Sequence, residues 1–172
     1  MIDSADIPRF AGLNVIANFQ ALWAFPDSYI RDLTWPALGP ERSRWMYPIG
    51  SVVRANGPLA LGSDWNVSSL VPLAAIQVAI TRRDPDDSTG EQMLPEQAID
   101  LPTALRAYTL GSARALGIEE ETGSIAVGKA ADLVVLGDDI EHVSVNRLGK
   151  VPVLLTLLEG VPVFGRMEDL VR

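Results

Sequence analysis

The sequence has no cysteine and a single histidine among its 172 residues. The absence of cysteine excludes a disulfide framework and a zinc site built from thiolates. Lysine and arginine number 14 against 22 aspartates and glutamates, which gives a net charge of −8. Because an acidic surface repels phosphate backbones, we expect no nucleic-acid partner.

Long apolar segments are also missing. One of the longest, residues 151–158, contains Pro152 and Thr156 and is too short to span a bilayer. The amino terminus has neither the basic region nor the apolar core of a signal peptide. With 48% hydrophobic residues and a mean hydropathy of +0.17, the chain has enough apolar material for a compact domain. We therefore expect a soluble, cytoplasmic protein with no membrane partner.

Strand signals precede helix signals twice in the first part of the chain. Residues 15–20 and 58–62 are short apolar runs that are consistent with buried strands. One helix should begin near Asp27, after the first run. After the second run, Ser68 or Ser69 should cap a further helix. Such alternation is typical of βα repeats.

Two other helices are predicted from residues that are typical of helix ends. Ser4 or Asp6 should begin a helix that Gly12 ends, and Asp100 should begin another that Gly117 ends. The buried side of this last helix is expected to hold Leu101, Leu105, Tyr108 and Ala115.

After Gly117 the pattern becomes mainly β. Residues 131–136, 153–158 and 161–164 are strand candidates, and Glu159–Gly160 reads as the tight turn between the last two.

Two motifs resemble those of metal-dependent amidohydrolases. Residues 123–136 read G-S-I-A-V-G-K-A-A-D-L-V-V-L, similar to a signature near the C-terminus of dihydroorotases, imidazolonepropionases and N-acyl amino acid deacylases. Residues 62–65, G-S-D-W, resemble the family's loop at the end of the eighth barrel strand. Together with residues 6–10 and 75–79, they are similar to the amidohydrolase 3 branch, which is related to N-substituted formamide deformylase.

The resemblance implies an α/β fold with a partial (β/α)8 TIM barrel, followed by strands of a small β-sandwich. Residues 1–117 would form the C-terminal part of the barrel, and residues 118–172 would belong to the composite sandwich. Because a whole barrel takes about 250 residues, the chain should be a fragment. Open strand edges must be covered, so we expect a homo-oligomer, such as a dimer, or a complementary N-terminal chain.

The resemblance also implies a hydrolase acting on carbon–nitrogen bonds other than peptide bonds. In this family, zinc or another divalent metal activates the water that attacks an amide or formamide. Asp64 would take the proton of that water, and it would ligate the metal only if the missing histidines are supplied elsewhere. From the residues alone, a loop aspartate that caps the next helix is the favoured interpretation of Asp64, and the surrounding motif reverses that preference.

The other ligands of such a metal site are missing. The sequence contains no His-x-His, and His142 lies beyond the barrel segment in a loop where we expect it to be solvated. A catalytic zinc usually needs three protein ligands, so we expect the isolated chain to bind no metal and to be inactive. The alternative is a non-catalytic structural or interaction fragment, stable only as an oligomer or with a complementary chain.

Several other side chains have both a functional and a structural interpretation. Three arginines could bind a substrate carboxylate or could simply lie on the surface: Arg42, Arg44 and Arg54. Four tryptophans could line a pocket mouth, although ordinary packing is the expectation: Trp23, Trp35, Trp45 and Trp65. We interpret Lys129 as a turn residue, because no glycine-rich strand-to-helix loop around it matches a phosphate-binding loop.

Overall fold

A computed structural model describes residues 1–168 as a mixture of short helices and two small sheets. The helices are α1 (Ile7–Gly12), α2 (Trp35–Ser43), α3 (Ile49–Arg54), α4 (Pro72–Thr81), α5 (Leu101–Arg106) and α6 (Ser112–Leu116). Short segments of 3-10 or π helix cover Ala21–Trp23, Ile30–Thr34, Pro95–Gln97, Ala107–Gly111 and Val145–Lys150. The strands are β1 (Ala17–Phe19), β2 (Leu59–Leu61), β3 (Leu133–Leu136), β4 (Val153–Leu158) and β5 (Val161–Phe164).

The first sheet consists of the two strands predicted in the first part of the chain. β1 and β2 pair in parallel, with Ala17 opposite Leu59 and Phe19 opposite Leu61. Both strands are shorter than predicted; Val15, for example, precedes β1 and is 47% exposed. A parallel pair needs a long crossover, which here contains α2 and α3.

The main core lies between this parallel pair and the helices. Its buried members include Phe19, Leu61, Ile76 and Ala104. Helix α4 carries the buried Gln77, whose amide donates to the Pro85 carbonyl at 2.9 Å and accepts from the Gly149 amide at 2.9 Å. Both the nitrogen and the oxygen of this buried amide are hydrogen-bonded. Through Gly149, Gln77 connects α4 to the segment that leads into β4. Within residues 1–168, no helix is long and apolar enough to cross a membrane.

The helix starts were predicted with mixed success. Ile30 donates its amide to the Asp27 carboxylate at 2.8 Å, so the helix expected near Asp27 is confirmed. Asp6 precedes α1 but makes no capping hydrogen bond, because its carboxylate pairs with Arg9 at 2.6 Å instead. Ser68 and Ser69 do not cap α4, because the helix starts only at Pro72 and Val71 stands at its N-cap.

Asp100 caps α5 as predicted, since its carboxylate accepts the Thr103 amide at 2.8 Å. The Asp100→Ala variant should lose about 1 kcal/mol of unfolding free energy. Hydrogen bonding to Thr103 lowers the pKa of Asp100. The stabilisation is therefore present above the unfolded-state pKa of about 3.9 and is lost as pH falls through the lower folded-state pKa. Urea unfolding at neutral pH and at low pH measures the difference.

Asp6 offers the matched control, because it occupies an N-cap position without making the capping bond. Its pairing with Arg9 is solvent-exposed, and such pairs contribute little to stability. Asp6→Ala should therefore change the unfolding free energy less than Asp100→Ala does. Equal effects would contradict the assigned role of the Asp100 cap.

Helices α5 and α6 form one rod, joined by the π turn at Ala107–Gly111. The rod ends at Gly117, which adopts the left-handed conformation (φ 73°) as predicted. The prediction that Ala115 is buried is wrong: Ala115 is exposed, and Ala113 occupies the buried side near the rod's end. Gly111 lets the rod approach β2 closely, because an added Cβ would lie 2.3 Å from the Leu59 carbonyl oxygen.

The second sheet has the antiparallel order β3-β4-β5. The hairpin between β4 and β5 turns at Glu159 and Gly160, which both have positive φ (51° and 80°). A two-residue hairpin turn of type I′ requires positive φ at both of these positions. One face of the sheet meets the body of the protein through Leu155, which is 1% exposed. The predicted segment of residues 118–172 extends beyond this sheet, and its last four residues lie outside the described chain.

Candidate active-site loop

Asp64 lies in the loop that follows the carboxyl end of β2, where the sequence placed it. Its backbone is left-handed (φ 53°), a conformation that aspartate tolerates better than most residues. The loop holds itself in place: Ser68 donates its hydroxyl to the Ser63 carbonyl at 2.6 Å, and Trp65 donates its amide to the Ser63 hydroxyl at 3.2 Å. The position of Asp64 is therefore fixed by local hydrogen bonds on the loop.

The helical rod holds the end of β2 from the other side. Ser112 donates its hydroxyl to the Leu61 carbonyl at 2.8 Å, and Tyr108 donates its hydroxyl to the Gly62 carbonyl at 3.2 Å. Burial raises the pKa of Tyr108 to about 12, so this hydroxyl keeps its proton at any ordinary pH. The sequence could not reveal these anchors, since each joins residues about 50 positions apart.

Replacing Tyr108 with phenylalanine tests this anchoring. The variant keeps the ring but removes the donor to the Gly62 carbonyl, at a cost of about 1 kcal/mol. Amide hydrogen exchange should accelerate in residues 62–68 more than in the distant hairpin of β4 and β5. Tyr29→Phe is the matched control, because the Tyr29 side chain is 71% exposed. Equal exchange in residues 62–68 of both variants would contradict the anchoring role.

The Asp64 side chain is exposed and forms no hydrogen bond with any other side chain or amide of residues 1–168. Only its backbone carbonyl is used, as the acceptor of the Val67 amide at 2.9 Å. The alternative that Asp64 caps the next helix is wrong, because α4 begins eight residues later and has no side-chain cap. The carboxylate is thus held at the strand end and left available.

Asn18 is a polar neighbour that the sequence analysis missed. It lies in the middle of β1 between the buried Ala17 and Phe19, and it is itself exposed on the face opposite the helices. A Cβ added at Gly62 would lie 3.5 Å from the Asn18 side-chain oxygen, so the two positions adjoin. The sequence feature that could have pointed to Asn18 is an amide side chain in the middle of an otherwise apolar strand. Asn18 places a second polar group beside Gly62, two residues before Asp64.

The described residues do not fit a metal site. Among residues 1–168, no group of three or more histidine, cysteine, aspartate or glutamate side chains is placed to hold a metal ion. His142 is exposed in the loop after β3, and its Nδ1 lies 2.8 Å from the Asp139 carboxylate, in accord with the solvated position expected for it. This hydrogen bond lowers the pKa of Asp139. Asp64 is therefore a lone carboxylate.

A cavity of about 510 Å³ lies near the carboxyl ends of the parallel strands without including Asp64. Its lining includes Trp23 and Phe25, which follow β1, and Ser69, which follows β2. Asp84 and Lys150 are among its polar lining residues. Asp64 does not line this cavity.

The predicted arginines and tryptophans separate into two groups. Arg42 donates to the Leu38 and Ala37 carbonyls, and Arg54 donates to the Glu96 carbonyl. Both guanidinium groups therefore form hydrogen bonds with backbone carbonyls. Arg44 is exposed and lies 3.6 Å from the Glu41 carboxylate. Three tryptophans are half-buried: Trp23, Trp35 and Trp45. Trp65 contradicts the packing expectation, because it is 68% exposed beside Asp64.

Lys129 stabilises a turn, as the sequence suggested. Its ammonium donates to the Ser124 hydroxyl at 2.8 Å, to the Thr122 carbonyl at 3.3 Å and to the Glu119 carbonyl. Asp132 accepts from the Thr122 hydroxyl and the Glu159 amide, and these hydrogen bonds lower its pKa. The conspicuous lysine and aspartate of the residue 123–136 motif therefore organise the entry to β3.

Comparison with known proteins identifies the family. The sequence matches the amidohydrolase family over residues 1–164, and the chain belongs to that family. It is 32% identical over 150 residues to an N-substituted formamide deformylase of Arthrobacter pascens, covering 87% of this chain and 26% of that protein. It is 36% identical over 131 residues to the protein LONG AFTER FAR-RED 3 of Arabidopsis thaliana, covering 74% of this chain and 21% of that protein.

Solved structures share the fold of this chain. An adenosine deaminase of Xanthomonas campestris with bound zinc superimposes with a TM-score of 0.65 at 28% identity, covering 98% of this chain and 36% of that one. An amidohydrolase of Thermotoga maritima shares the fold with a TM-score of 0.64 at 22% identity, covering 95% of this chain and 35% of that one. The chain spans about a fifth to a quarter of the two curated relatives named above.

Proposed function

We propose that this chain supplies Asp64 as the proton-accepting carboxylate of a hydrolase of carbon–nitrogen bonds other than peptide bonds, whose other site residues come from another segment. The observation that carries the proposal is the placement of Asp64. It follows the carboxyl end of one of two parallel strands, its loop is anchored on both sides, and its carboxylate has no structural task. Loops at the carboxyl ends of parallel strands are where such folds place catalytic residues.

The chemistry follows from what an exposed carboxylate can do. It can accept a proton from an attacking water and return that proton to the leaving nitrogen. Family membership and the formamide deformylase relative support an amide or formamide as the substrate. A solved relative contains bound zinc, which supports a divalent metal in the complete enzyme. The residues described here cannot build that metal site, so we propose that the isolated chain is inactive.

The same proposal includes the architecture. The pair β1–β2 and the helices up to Gly117 would be the last part of a (β/α)8 barrel, and residues 118–172 would add strands to a β-sandwich. The adenosine deaminase and the amidohydrolase of known structure, which superimpose on nearly all of this chain, support this assignment. A cytoplasmic location remains a prediction.

Reconstitution tests the proposal. The A. pascens deformylase, shortened by the segment that this chain matches, would be mixed with this chain and with zinc, and N-substituted formamide hydrolysis would be followed. Each component alone should show no turnover, and the mixture should show turnover that rises to a plateau at equal amounts. Turnover and stoichiometric zinc in this chain alone would contradict the proposal.

A second candidate, a non-catalytic component of an assembly, is favoured by the outer face of the β3-β4-β5 sheet. Most antiparallel sheets present polar residues on the side that faces water. Here the outward positions include Val134 (56% exposed), Leu158 (57%), Val161 (61%) and Phe164 (57%). An exposed apolar face of this kind marks an interaction surface. We propose that it is covered in a homo-oligomer or by a complementary chain.

A single charged residue on this face tests whether the chain forms an oligomer through it. Phe164→Lys would place an ammonium on this apolar face, and it should weaken self-association at least roughly tenfold, about 1.4 kcal/mol. Val67→Lys is the control, because Val67 is 72% exposed but lies on the loop after β2. Light scattering over a dilution series measures both. A wild-type chain that stays monomeric, or a Phe164→Lys chain that associates normally, would contradict the oligomer.

A further inference from the structure

A cavity of about 280 Å³ lies at the amino ends of β1 and β2, whereas Asp64 follows the carboxyl end of β2. Its lining includes Ile16, which precedes β1, and Pro58, which precedes β2. The α5–α6 rod contributes Arg106 and Arg114 to the same lining. The cavity therefore shares no residue with the loop that bears Asp64.

The two arginines reach this cavity from one face of the rod. Arg106 ends α5 and Arg114 lies in α6, and both line the cavity. A helical rise of 1.5 Å per residue separates their Cα atoms by about 12 Å, a span that two arginine side chains can close on one ligand. Both arginines are exposed, so a ligand from solution can meet them.

The charge of these arginines is uncompensated. Neither guanidinium group forms an ion pair within residues 1–168, and no aspartate or glutamate among those residues lines the cavity. The larger cavity of about 510 Å³, in contrast, is lined by Asp27, Asp84 and Asp86. Two like charges at one cavity repel each other unless an anion lies between them. This cavity therefore selects negative charge, although the chain as a whole carries a charge of −8.

The remaining lining supplies a further donor and an apolar wall. Asn56 is exposed and lines the cavity, and its side-chain amide can donate hydrogen bonds. Ile16, Val53 and Leu59 are partly buried and add apolar surface. A ligand that fits needs an anionic group for the arginines and a small apolar body for the rest of the wall.

We propose that this cavity binds a phosphate monoester, with the phosphate held between the guanidinium groups of Arg106 and Arg114. The carbon body of the ester lies against Ile16, Val53 and Leu59. A phosphate monoester carries close to two negative charges at neutral pH, which matches two arginines, whereas a carboxylate carries only one. Its three oxygens can accept from two planar guanidinium groups at once. The site goes beyond the proposed hydrolysis and does not depend on it.

Phenyl phosphate is the probe for this site. Isothermal titration of the full chain, in the assembly state in which it purifies, should show one saturable phenyl phosphate site per chain. Inorganic phosphate should bind at least roughly tenfold more weakly, because it lacks the apolar ring. Benzoate should also bind at least roughly tenfold more weakly, because it lacks the second negative charge.

Substitutions test the two arginines directly. Arg106→Met and Arg114→Met should each weaken phenyl phosphate binding at least roughly tenfold, as expected for lost charge-assisted hydrogen bonds. Asn56→Asp should also weaken it, because aspartate adds a negative charge and still tolerates the left-handed backbone of this position (φ 56°). Arg147→Met is the matched control and should bind like the wild type, because Arg147 is exposed and does not line the cavity.

Thermal unfolding without ligand shows that the variants are folded. Because both arginines are exposed and unpaired within residues 1–168, their substitution should leave the unfolding midpoint nearly unchanged. The proposal is overturned if folded Arg106→Met or Arg114→Met binds phenyl phosphate like the wild type, if Arg147→Met weakens binding as much as they do, or if millimolar phenyl phosphate shows no saturable binding. Inorganic phosphate or benzoate that binds as tightly as phenyl phosphate would overturn the phosphate monoester. None of these outcomes depends on hydrolytic turnover.

Discussion

Replacing Asp64 with asparagine should lower kcat of the reconstituted hydrolase by roughly 10²–10⁴-fold, the contribution typical of a positioned general base. Asparagine keeps the size of the side chain and tolerates the left-handed backbone at this position, but it cannot accept a proton. The carboxylate makes no hydrogen bond within residues 1–168, so the substitution removes no structural bond there. Stability should therefore be nearly unchanged while turnover falls.

Asp138→Asn is the matched control, because Asp138 is an exposed aspartate in the loop after β3. Its kcat should equal that of the unsubstituted chain in the same mixture. Assembly must be measured for each variant by light scattering, so that lost turnover is not confused with lost pairing. If the mixture containing Asp64→Asn assembles and keeps the wild-type kcat, Asp64 takes no part in catalysis.

Replacing Gly111 with alanine should destabilise the chain by about 1–3 kcal/mol, as overpacking does in a tight contact. An added Cβ would lie 2.3 Å from the Leu59 carbonyl oxygen, so the helical rod must move away from β2. In an open helix the same change would be stabilising, because alanine restricts the unfolded chain more than glycine does. The sign of the effect therefore reports the close approach of the rod to the strand.

Gly12 provides the control, since an added Cβ there meets nothing within 4 Å and its φ is not positive. Gly12→Ala should leave the free energy of unfolding unchanged or slightly increased in a denaturant titration. Gly111→Ala should also accelerate hydrogen exchange at Leu61 and Gly62, whose carbonyls the rod holds. Equal stability of the two variants would show that the rod does not pack as described.

Local signals were enough to predict most of the elements. Asp100 and Gly117 mark the two ends of the α5–α6 rod because a cap and a left-handed glycine act within one helical turn. The Glu159–Gly160 turn likewise sets the hairpin of β4 and β5. Where a competing partner was available, the local prediction failed: the carboxylate of Asp6 bonds Arg9 instead of the helix start.

Long-range contacts explain what the sequence could not predict. The anchoring of the Asp64 loop by Tyr108 and Ser112, and the tight contact at Gly111, depend on how the rod docks on β2. Asn18 and Trp65 are exposed although their surroundings in the sequence suggest burial. Asn18 lies on the exposed face of β1, and Trp65 lies in the loop after β2.

The most direct test of the account is the position of zinc in a crystal of the reconstituted complex, located by anomalous diffraction. If Asp64 belongs to a site completed by another segment, the zinc peak should lie either at about 2.0–2.2 Å from its carboxylate or one bound water away, with the remaining ligands contributed by the added segment. A zinc site remote from the carboxyl end of β2, or one built entirely from residues of this chain, would contradict it.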